Sequence, residues 1–355
     1  AQEQAACRAI GNVLEGATDV VLTTHVNPDA DGLGAEAALA GWLGSRGIRT
    51  RILNADPPPR QFAFLATDEV PFGVFRSFEE DGLASVDALV VLDANSAERL
   101  GAVGTVLPRL QVPRIRIDHH VAREPSGPLD LVDPGVSSTS ELVYRLLRAL
   151  GAAIPPSVAV PLYAGIAFDT GFFRYANTTR ETLLAAADLH GRGVGDADLF
   201  SRMFETRSVE RMRLWGRALS SLAVEFDGQL VWMAVDRALL DGTGAGPEDL
   251  DGLVEQGRLV EGVLVSVLFR EDGAERVKVS FRSKEGFDVN ALAGRFGGGG
   301  HVNAAGATLE MPLARAVARV LEEARTALEA RAAEGRSAEP NAPSGSTTDG
   351  RGTWT

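Results

Sequence analysis

An apolar run, Val20-Val21-Leu22, leads directly into Thr24-His25-Val26-Asn27-Pro28-Asp29-Ala30-Asp31-Gly32-Leu33-Gly34, and a small-residue helical pattern from Ala35 to Leu43 leads out. That order makes a strand, a polar turn and a helix, the opening unit of an open α/β sheet. One imidazole and two carboxylates stand on the turn, at the edge where such sheets bind ligands. Asp29 and Asp31 repel each other unless something positive lies between them. On this stretch alone two readings stay open: a divalent cation held by the side chains, or an aspartate that caps the helix.

At 355 residues the chain has room for two domains and a sizeable core. No apolar run of about 18 residues occurs, so no membrane span is expected. The net charge of -13 argues against non-specific binding to long duplex DNA. A phosphorylated substrate then has to be short or small, and metals or a local basic cluster must attract it. Ala1-Gln2-Glu3-Gln4 shows no basic region followed by an apolar one, so it does not read as a signal peptide, and it carries no initiator Met. Cys7 is the single cysteine, which excludes an intrachain disulfide and a thiolate metal site. The expected compartment is the cytoplasm.

Residues 5–17 predict a helix, with Ala6, Ile10, Val13 and Leu14 on one side. The first strand is expected at 19–24, a helix at 35–46 closed by Gly47, and a second strand at 48–53. Pro57-Pro58-Pro59 breaks the chain into a loop. Ala88-Leu89-Val90-Val91-Leu92 ends in Asp93 and reads as a buried parallel strand; Ile115-Arg116-Ile117 runs into Asp118-His119-His120. Ser138 and Glu141 have capping-box spacing, as do Thr178 and Glu181. The helix begun at Ser138 offers free N–H groups that serve either a plain cap or an anion. An apolar helix at 156–168 ends at Asp169-Thr170-Gly171. Alternating strands and helices give a doubly wound, mainly parallel sheet. From Gln229 the pattern changes to a smaller α+β domain, with strands near 230–235, 262–269, 276–281 and 304–309 and a long helix at 312–332. The expected domains are 1–190, a helical linker at 191–225, a second domain at 226–334, and a disordered tail at 335–355.

Four of the five histidines, His25, His119, His120 and His301, lie next to strand ends or a Gly-rich turn, which is not how core histidines distribute. His190, in a helix tail, looks incidental. Asp93, Asp118 and Asp169 end apolar segments, and Asp29 and Asp31 lie in the first turn. A parallel sheet brings such positions to one edge. Four carboxylates (Asp29, Asp31, Asp93, Asp169) balance two divalent cations, and His25 and His119 add nitrogen ligands. Mixed His and carboxylate ligands suit Mn²⁺, with Mg²⁺ or Zn²⁺ as alternatives. Phe172-Phe173 reads as core more than as a base-stacking platform. Arg114 and Arg116 supply either local positive charge or strand-edge solvation.

His25-x-x-Pro28-Asp29-x-Asp31-Gly32, Asp93, Asp118-His119-His120 and Asp169-Thr170-Gly171 resemble, in order, the four motifs of the DHH phosphoesterase superfamily. Val279-Ser280-Phe281-Arg282-Ser283-Lys284 and Gly297-Gly298-Gly299-Gly300-His301-x-x-Ala304-Ala305-Gly306 resemble its DHH-associated domain. The resemblance spans roughly residues 10–330 and is nearest to the nanoRNase type, the oligoribonuclease and pAp phosphatase branch. It implies that His25 and Asp29 hold one metal, that Asp31, His119 and Asp169 hold a second, and that Asp93 bridges them. It implies that Asp118 orients a ligand from behind and that His120 faces the scissile phosphate. Arg282, Ser283 and His301 would grip the substrate, with Gly298, Gly299 and Gly300 letting backbone N–H groups come close.

The implied activity is Mn²⁺-dependent hydrolysis of short oligoribonucleotides, of the 3′-phosphate of pAp, or of cyclic dinucleotides and their linear products. A family-related inorganic pyrophosphatase and a RecJ-like exonuclease are the alternative enzymes, and a nucleotide-binding regulator is the non-enzyme alternative. A hinge near 191–205 and a homodimer through the first domain are further expectations.

Overall fold

The structure is a computed structural model that describes residues 2–121, 127–284 and 287–338. Packing divides the chain after Thr206 into two units.

The first unit contains α1 (Gln2–Glu15), β1 (Asp19–Thr23), α2 (Ala30–Ser45), β2 (Arg49–Asn54), β3 (Phe72–Val74), β4 (Ala88–Leu92), α3 (Ala102–Val106), β5 (Arg114–Asp118), β6 (Asp130–Val132), α4 (Thr139–Ala149), α5 (Pro156–Asp169), α6 (Arg180–His190) and α7 (Asp196–Phe204). Its six strands lie in the order β3-β2-β1-β4-β5-β6, and every pairing is parallel. Strands β1 and β4 are buried along their whole length, as continuous apolar runs require when both faces of a sheet are covered. The chain winds outward from β1 to β3, then returns to β4 on the other side of β1. The switch point between β1 and β4 opens a crevice at their carboxyl ends. The first motif follows β1 and Asp93 follows β4, so the topology itself delivers them to one place.

Helix α2 starts at Ala30, five residues before the expected start. Asp29 is its N-cap and accepts from the N–H of Asp31 (2.9 Å) and of Gly32 (3.4 Å). Helices α2 and α5 are largely apolar and largely buried, and they pack closely on one another. A Cβ on Gly34 would lie 2.4 Å from the Pro161 carbonyl oxygen, so only glycine permits this approach.

Two capping expectations change. Ser138 accepts from the N–H of Glu141 as foreseen, but the Glu141 carboxylate turns away to Ser137, Thr182 and Arg145. The second box is Thr179 with Thr182, one residue further on than Thr178 with Glu181. The expected linker also divides: α7 inserts Leu199 and Met203 into the first core.

The second unit contains α8 (Val209–Ser220), β7 (Ala223–Glu225), β8 (Leu230–Val235), α9 (Arg237–Asp241), α10 (Leu253–Gly257), β9 (Val265–Glu271), β10 (Val277–Ser283), α11 (Val289–Gly294), β11 (Gly299–His301), β12 (Ala304–Leu309) and α12 (Leu313–Ala338). Its sheet runs β11-β12-β10-β9-β8-β7, antiparallel except for β8 with β9. Val277, Val279, Phe281, Ala305, Ala307 and Leu309 form one face, in a core with Val289 of α11 and Ala316 and Val320 of α12. Helix α12 continues to Ala338, past the expected start of the tail, and residues 339–355 lie outside the described residues.

The α2–α5 contact makes a paired prediction. Gly34→Ala should cost about 1–3 kcal/mol by overpacking. Gly44→Ala, on the same helix in open space, should be neutral or gain up to ~1 kcal/mol. Thermal melts of the two variants check it: equal midpoints would contradict the packing.

Candidate active site

Each functional side chain of the first unit sits where a strand or helix ends. After β1 the chain leaves the sheet. The Thr24 N–H is held by Asn54 Oδ1 (2.9 Å) and the Val26 N–H by the Arg99 carbonyl (2.7 Å). His25 between them donates Nδ1–H to its neighbour's carbonyl, Val26 O (2.8 Å). That bond leaves Nε2 free as a ligand atom. Nε2 lies 3.3 Å from Asp93 Oδ2 and 3.8 Å from Asp29 Oδ2. Asp93 takes a left-handed backbone (φ 57°) just past β4. Its other oxygen, Oδ1, lies 3.4 Å from His119 Nε2. His119 Nε2 in turn lies 3.1 Å from Asp169 Oδ2 and 3.9 Å from Asp31 Oδ2.

The structure therefore brings all six expected ligands together as two triads, His25–Asp29–Asp93 and Asp31–His119–Asp169. Asp93 reaches both through its two oxygens. The capping reading holds, since Asp29 Oδ1 caps α2, and it leaves Oδ2 facing His25 in a group that could hold a cation.

The electrostatics are those of a buried anionic cluster that could hold cations. Burial, with Asp93 and Asp169 nearby, pushes the Asp29 carboxyl up to about 6. The same causes push Asp31 well above the usual range, and burial with Asp93 nearby raises Asp169. Burial opposes charge on the imidazoles, yet Asp93 and Asp29 drive His25 up to about 9. Asp169 and Asp93 drive His119 up to about 11. Asp93, buried but flanked by both imidazoles, is held well below the usual carboxylate range. Protons here balance charge that divalent cations would balance better, and the donor set of oxygens and imidazole nitrogens fits such ions.

Asp118 stands behind the cluster. It is buried and its Oδ1 accepts from His120 Nδ1 (2.8 Å) and from the His120 N–H (3.1 Å). It orients His120, whose Nδ1 also lies 3.5 Å from Asp93 Oδ1 and which forms with Asp93 and His119 a third group that could hold a cation.

Several residues that matter here escaped the sequence reading. The first N–H groups of α4, those of Thr139 (2.6 Å) and Ser140 (2.8 Å), both donate to the Asp31 carboxylate. The anion at that helix N-terminus is thus the protein's own. Thr139 Oγ1 also donates to Asp93 Oδ1 (2.9 Å). Asn177 Nδ2 ties the Asp169 carbonyl to the Ser137 carbonyl, both at 3.1 Å. The capping signal at Ser138 was visible in the sequence; its target, more than a hundred residues away, was not.

Other candidates resolve as structure. Phe172 and Phe173 pack against the first core with Tyr163, Phe200 and Phe204. Arg116 pairs with Asp130 (2.8 Å), Arg114 donates to the Leu107 carbonyl, and His190 pairs with Asp196.

In the second unit, Arg282 lies opposite Ala304, which lies opposite His301. The three form one row on the sheet face turned away from α12, with Ser280 and the glycines Gly306 and Gly299 in the next row. Arg282 Nε contacts Glu255 Oε1 (2.7 Å). Ser283 points to the opposite face, fully buried, and donates to the Phe287 carbonyl (2.7 Å), so it is not available to grip substrate. A Cβ on Gly298 would meet the Gly306 carbonyl oxygen at 2.2 Å, and one on Gly300 would meet that of Ala304 at 2.4 Å. These two glycines serve close approach of the strands. The Gly300 N–H is taken by Asn290 Oδ1 (2.8 Å). A Cβ on Gly299 would meet Asn290 Oδ1 at an ordinary 3.7 Å.

Residues 19–166 match the DHH family, N-terminal domain, and residues 228–334 match the DHHA1 domain. A bifunctional oligoribonuclease and PAP phosphatase NrnA of Thermus thermophilus is 39% identical over 323 residues, covering 90% of this chain and 94% of that protein. The chain belongs to the DHH family. The NrnA of Bacillus subtilis, with the same bifunctional name, is 28% identical over 293 residues, covering 82% of this chain and 89% of that one. Among solved structures, an exopolyphosphatase-related protein from Bacteroides fragilis superposes with a TM-score of 0.84 at 28% identity, covering 90% of this chain and 95% of that chain.

Two outcomes follow from this geometry. A cation must displace the protons on His25 and His119, so divalent-metal affinity should strengthen as pH rises from 6 toward 9, with proton release. Titration calorimetry in buffers of different ionisation enthalpy checks it; affinity that weakens with rising pH would contradict it. Thr139→Val removes the hydroxyl on Asp93 and should lower Mn²⁺ affinity or turnover ~10–100-fold. Unchanged values would show that this bond does not support the ligand.

Proposed function

We propose that this DHH protein is a two-metal phosphoesterase. It hydrolyses short oligoribonucleotides to mononucleotides and removes the 3′-phosphate of pAp, with cyclic dinucleotides or their linear products as further substrates. The observation that carries the reading is the pair of ligand triads sharing Asp93 at the switch point of a parallel sheet. The names of the two NrnA relatives supply the substrate class.

His25, Asp29 and Asp93 would hold one ion, and Asp31, His119, Asp169 and Asp93 the other. Bound there, a pair of dications lowers the pKa of water, screens the phosphate and stabilises charge on the attacking and leaving oxygens. Mn²⁺ is the proposed metal, on the mixed nitrogen and oxygen ligand set, with Mg²⁺ the alternative.

The protein's own groups do the rest. Asp118 fixes the His120 ring through Nδ1, so that Nε2 is the atom left to hold a proton or charge at the reacting phosphate. Arg282 and His301 grip the substrate's other phosphate or nucleotide, across a floor of Ala304, Gly306 and Gly299 on which a flat base can lie.

That row favours a nucleotide over bare pyrophosphate. The 39% identity to the Thermus NrnA favours the NrnA type over a RecJ-like exonuclease. A non-catalytic regulator would lack metal ligands, and none of the six is lost. Among the described residues no helix is long and apolar enough to cross a membrane. We place the enzyme in the cytoplasm and expect a homodimer, a state that sedimentation would test.

A turnover panel with Mn²⁺ tests the reading: pAp, dinucleotides, longer RNA, cyclic dinucleotides and pyrophosphate, side by side. Hydrolysis of pAp and dinucleotides well above longer RNA and pyrophosphate is expected; a protein that leaves all the nucleotides intact is not this enzyme. Asp93→Ala should reduce turnover at least about a hundredfold, more than loss of a group behind the ligands, while the far-UV spectrum stays unchanged. Retained activity would remove the bridging role.

A further inference from the structure

Behind the His25 turn lies a buried polar chain that none of the motifs contains. The backbone ladder between β1 and β2 ends with Leu22 opposite Ile52. Past that point the side chain of Asn54 takes over. Its Oδ1 accepts the Thr24 N–H (2.9 Å) and lies 3.4 Å from Thr23 Oγ1. Its Nδ2 donates to Glu36 Oε2 on α2 (2.9 Å). Asn54 is 1% exposed, and Thr24 and Glu36 are 0% exposed. The chain thus joins the residue before His25 to the helix that Asp29 caps.

Glu36 is a costly group to place there. It is fully buried, its Oε1 finds no hydrogen-bond partner among the described residues, and neither does Thr24 Oγ1. Its environment drives the acid toward its neutral form, chiefly by burial, with a pKa of about 8. An apolar residue of that size would pack with less penalty. A buried polar group kept against such a cost is best explained by the geometry it enforces. What this one enforces is the direction in which the chain leaves β1, and so where His25 Nε2 points.

We propose that Asn54 and Glu36 are positioning residues for one half of the metal cluster, the His25–Asp29 half, and not for the Asp31–His119–Asp169 half. The second half has its own supports, the first N–H groups of α4 and Asn177, which do not touch Asn54 or Glu36. The His25 side is thus braced from β2 and α2, whereas Asp31, although it lies on α2, is also held by the first N–H groups of α4, and Asp169 is held at the turn after α5. This rests on the two-metal reading above.

Mn²⁺ titration of the metal-free full chain tests it, by calorimetry and by paramagnetic resonance of the free ion. Asn54→Leu and Glu36→Leu should each weaken one of two ions ~10–100-fold and leave the other in place. Their isotherms should match that of Asp29→Asn and differ from that of Asp169→Asn. Glu36→Gln keeps an acceptor for Asn54 Nδ2 and should restore both ions to within about twofold, as a neutral isostere does.

Melting curves accompany each variant, and if Asn54→Leu does not fold, the Glu36 pair decides alone. Two ions at wild-type affinity in Glu36→Leu, equal loss of both ions, or a Glu36→Gln that behaves like Glu36→Leu would each overturn the assignment. A wild-type chain that binds fewer than two ions overturns the two-metal reading instead.

Discussion

One carboxylate lies between two imidazoles, and the first unit is arranged to put it there. Asp93 gives Oδ2 to His25 and Oδ1 to His119. The imidazoles come from the ends of different strands, β1 and β5, which flank β4 in the sheet. No local turn could bring these three groups together; a parallel sheet with a switch point between β1 and β4 does so at once. The φ of 57° at Asp93 is the local cost of turning its side chain inward, and the Asp93 N–H, still donated to the Ile117 carbonyl (3.0 Å), keeps that turn attached to β5.

Burial then decides what the carboxylates can tolerate. Asp29, Asp31, Asp93 and Asp169 lie close enough for Asp93 to raise the pKa of the other three, and burial adds to the effect. Such a group of anions is stable only with positive charge among them. His25 and His119 supply part of it, and the N–H groups at the start of α4 supply a partial charge to Asp31. The scaffold therefore stores a demand for cations instead of merely offering ligands.

Much of this was legible in the chain. The continuous apolar runs at β1 and β4 announced buried parallel strands, and residues at their ends announced a shared edge. Edge strands β3, β6, β7 and β11 have three residues each and carry no readable period, so they were missed. The early start of α2 was hidden because Ala30 to Gly34 reads as turn until Asp29 is seen to cap it. The resemblance put Ser283 with Arg282 at the substrate, but alternation along β10 sends neighbours to opposite faces. Thr139, Asn54, Glu36 and Asn177 act across long sequence separations, and nothing in their local sequence states the partner.

Asp29 divides its two oxygens between tasks that biochemistry usually treats apart. Oδ1 starts a helix buried in the middle of the unit, and Oδ2 faces His25 in the proposed ligand set. Loss of an N-cap costs about 0.5–2 kcal/mol by itself. A variant at Asp29 therefore reports on folding and on metal in one number, and a weak enzyme made there is not a measure of ligand strength. Asp169 ends its helix instead of starting one, so its carboxylate does not cap α5. On the proposed function, Asp169 is therefore the more faithful gauge of what a metal alone would contribute, and Asp29 shows how a helix cap and a cluster carboxylate can share a single side chain.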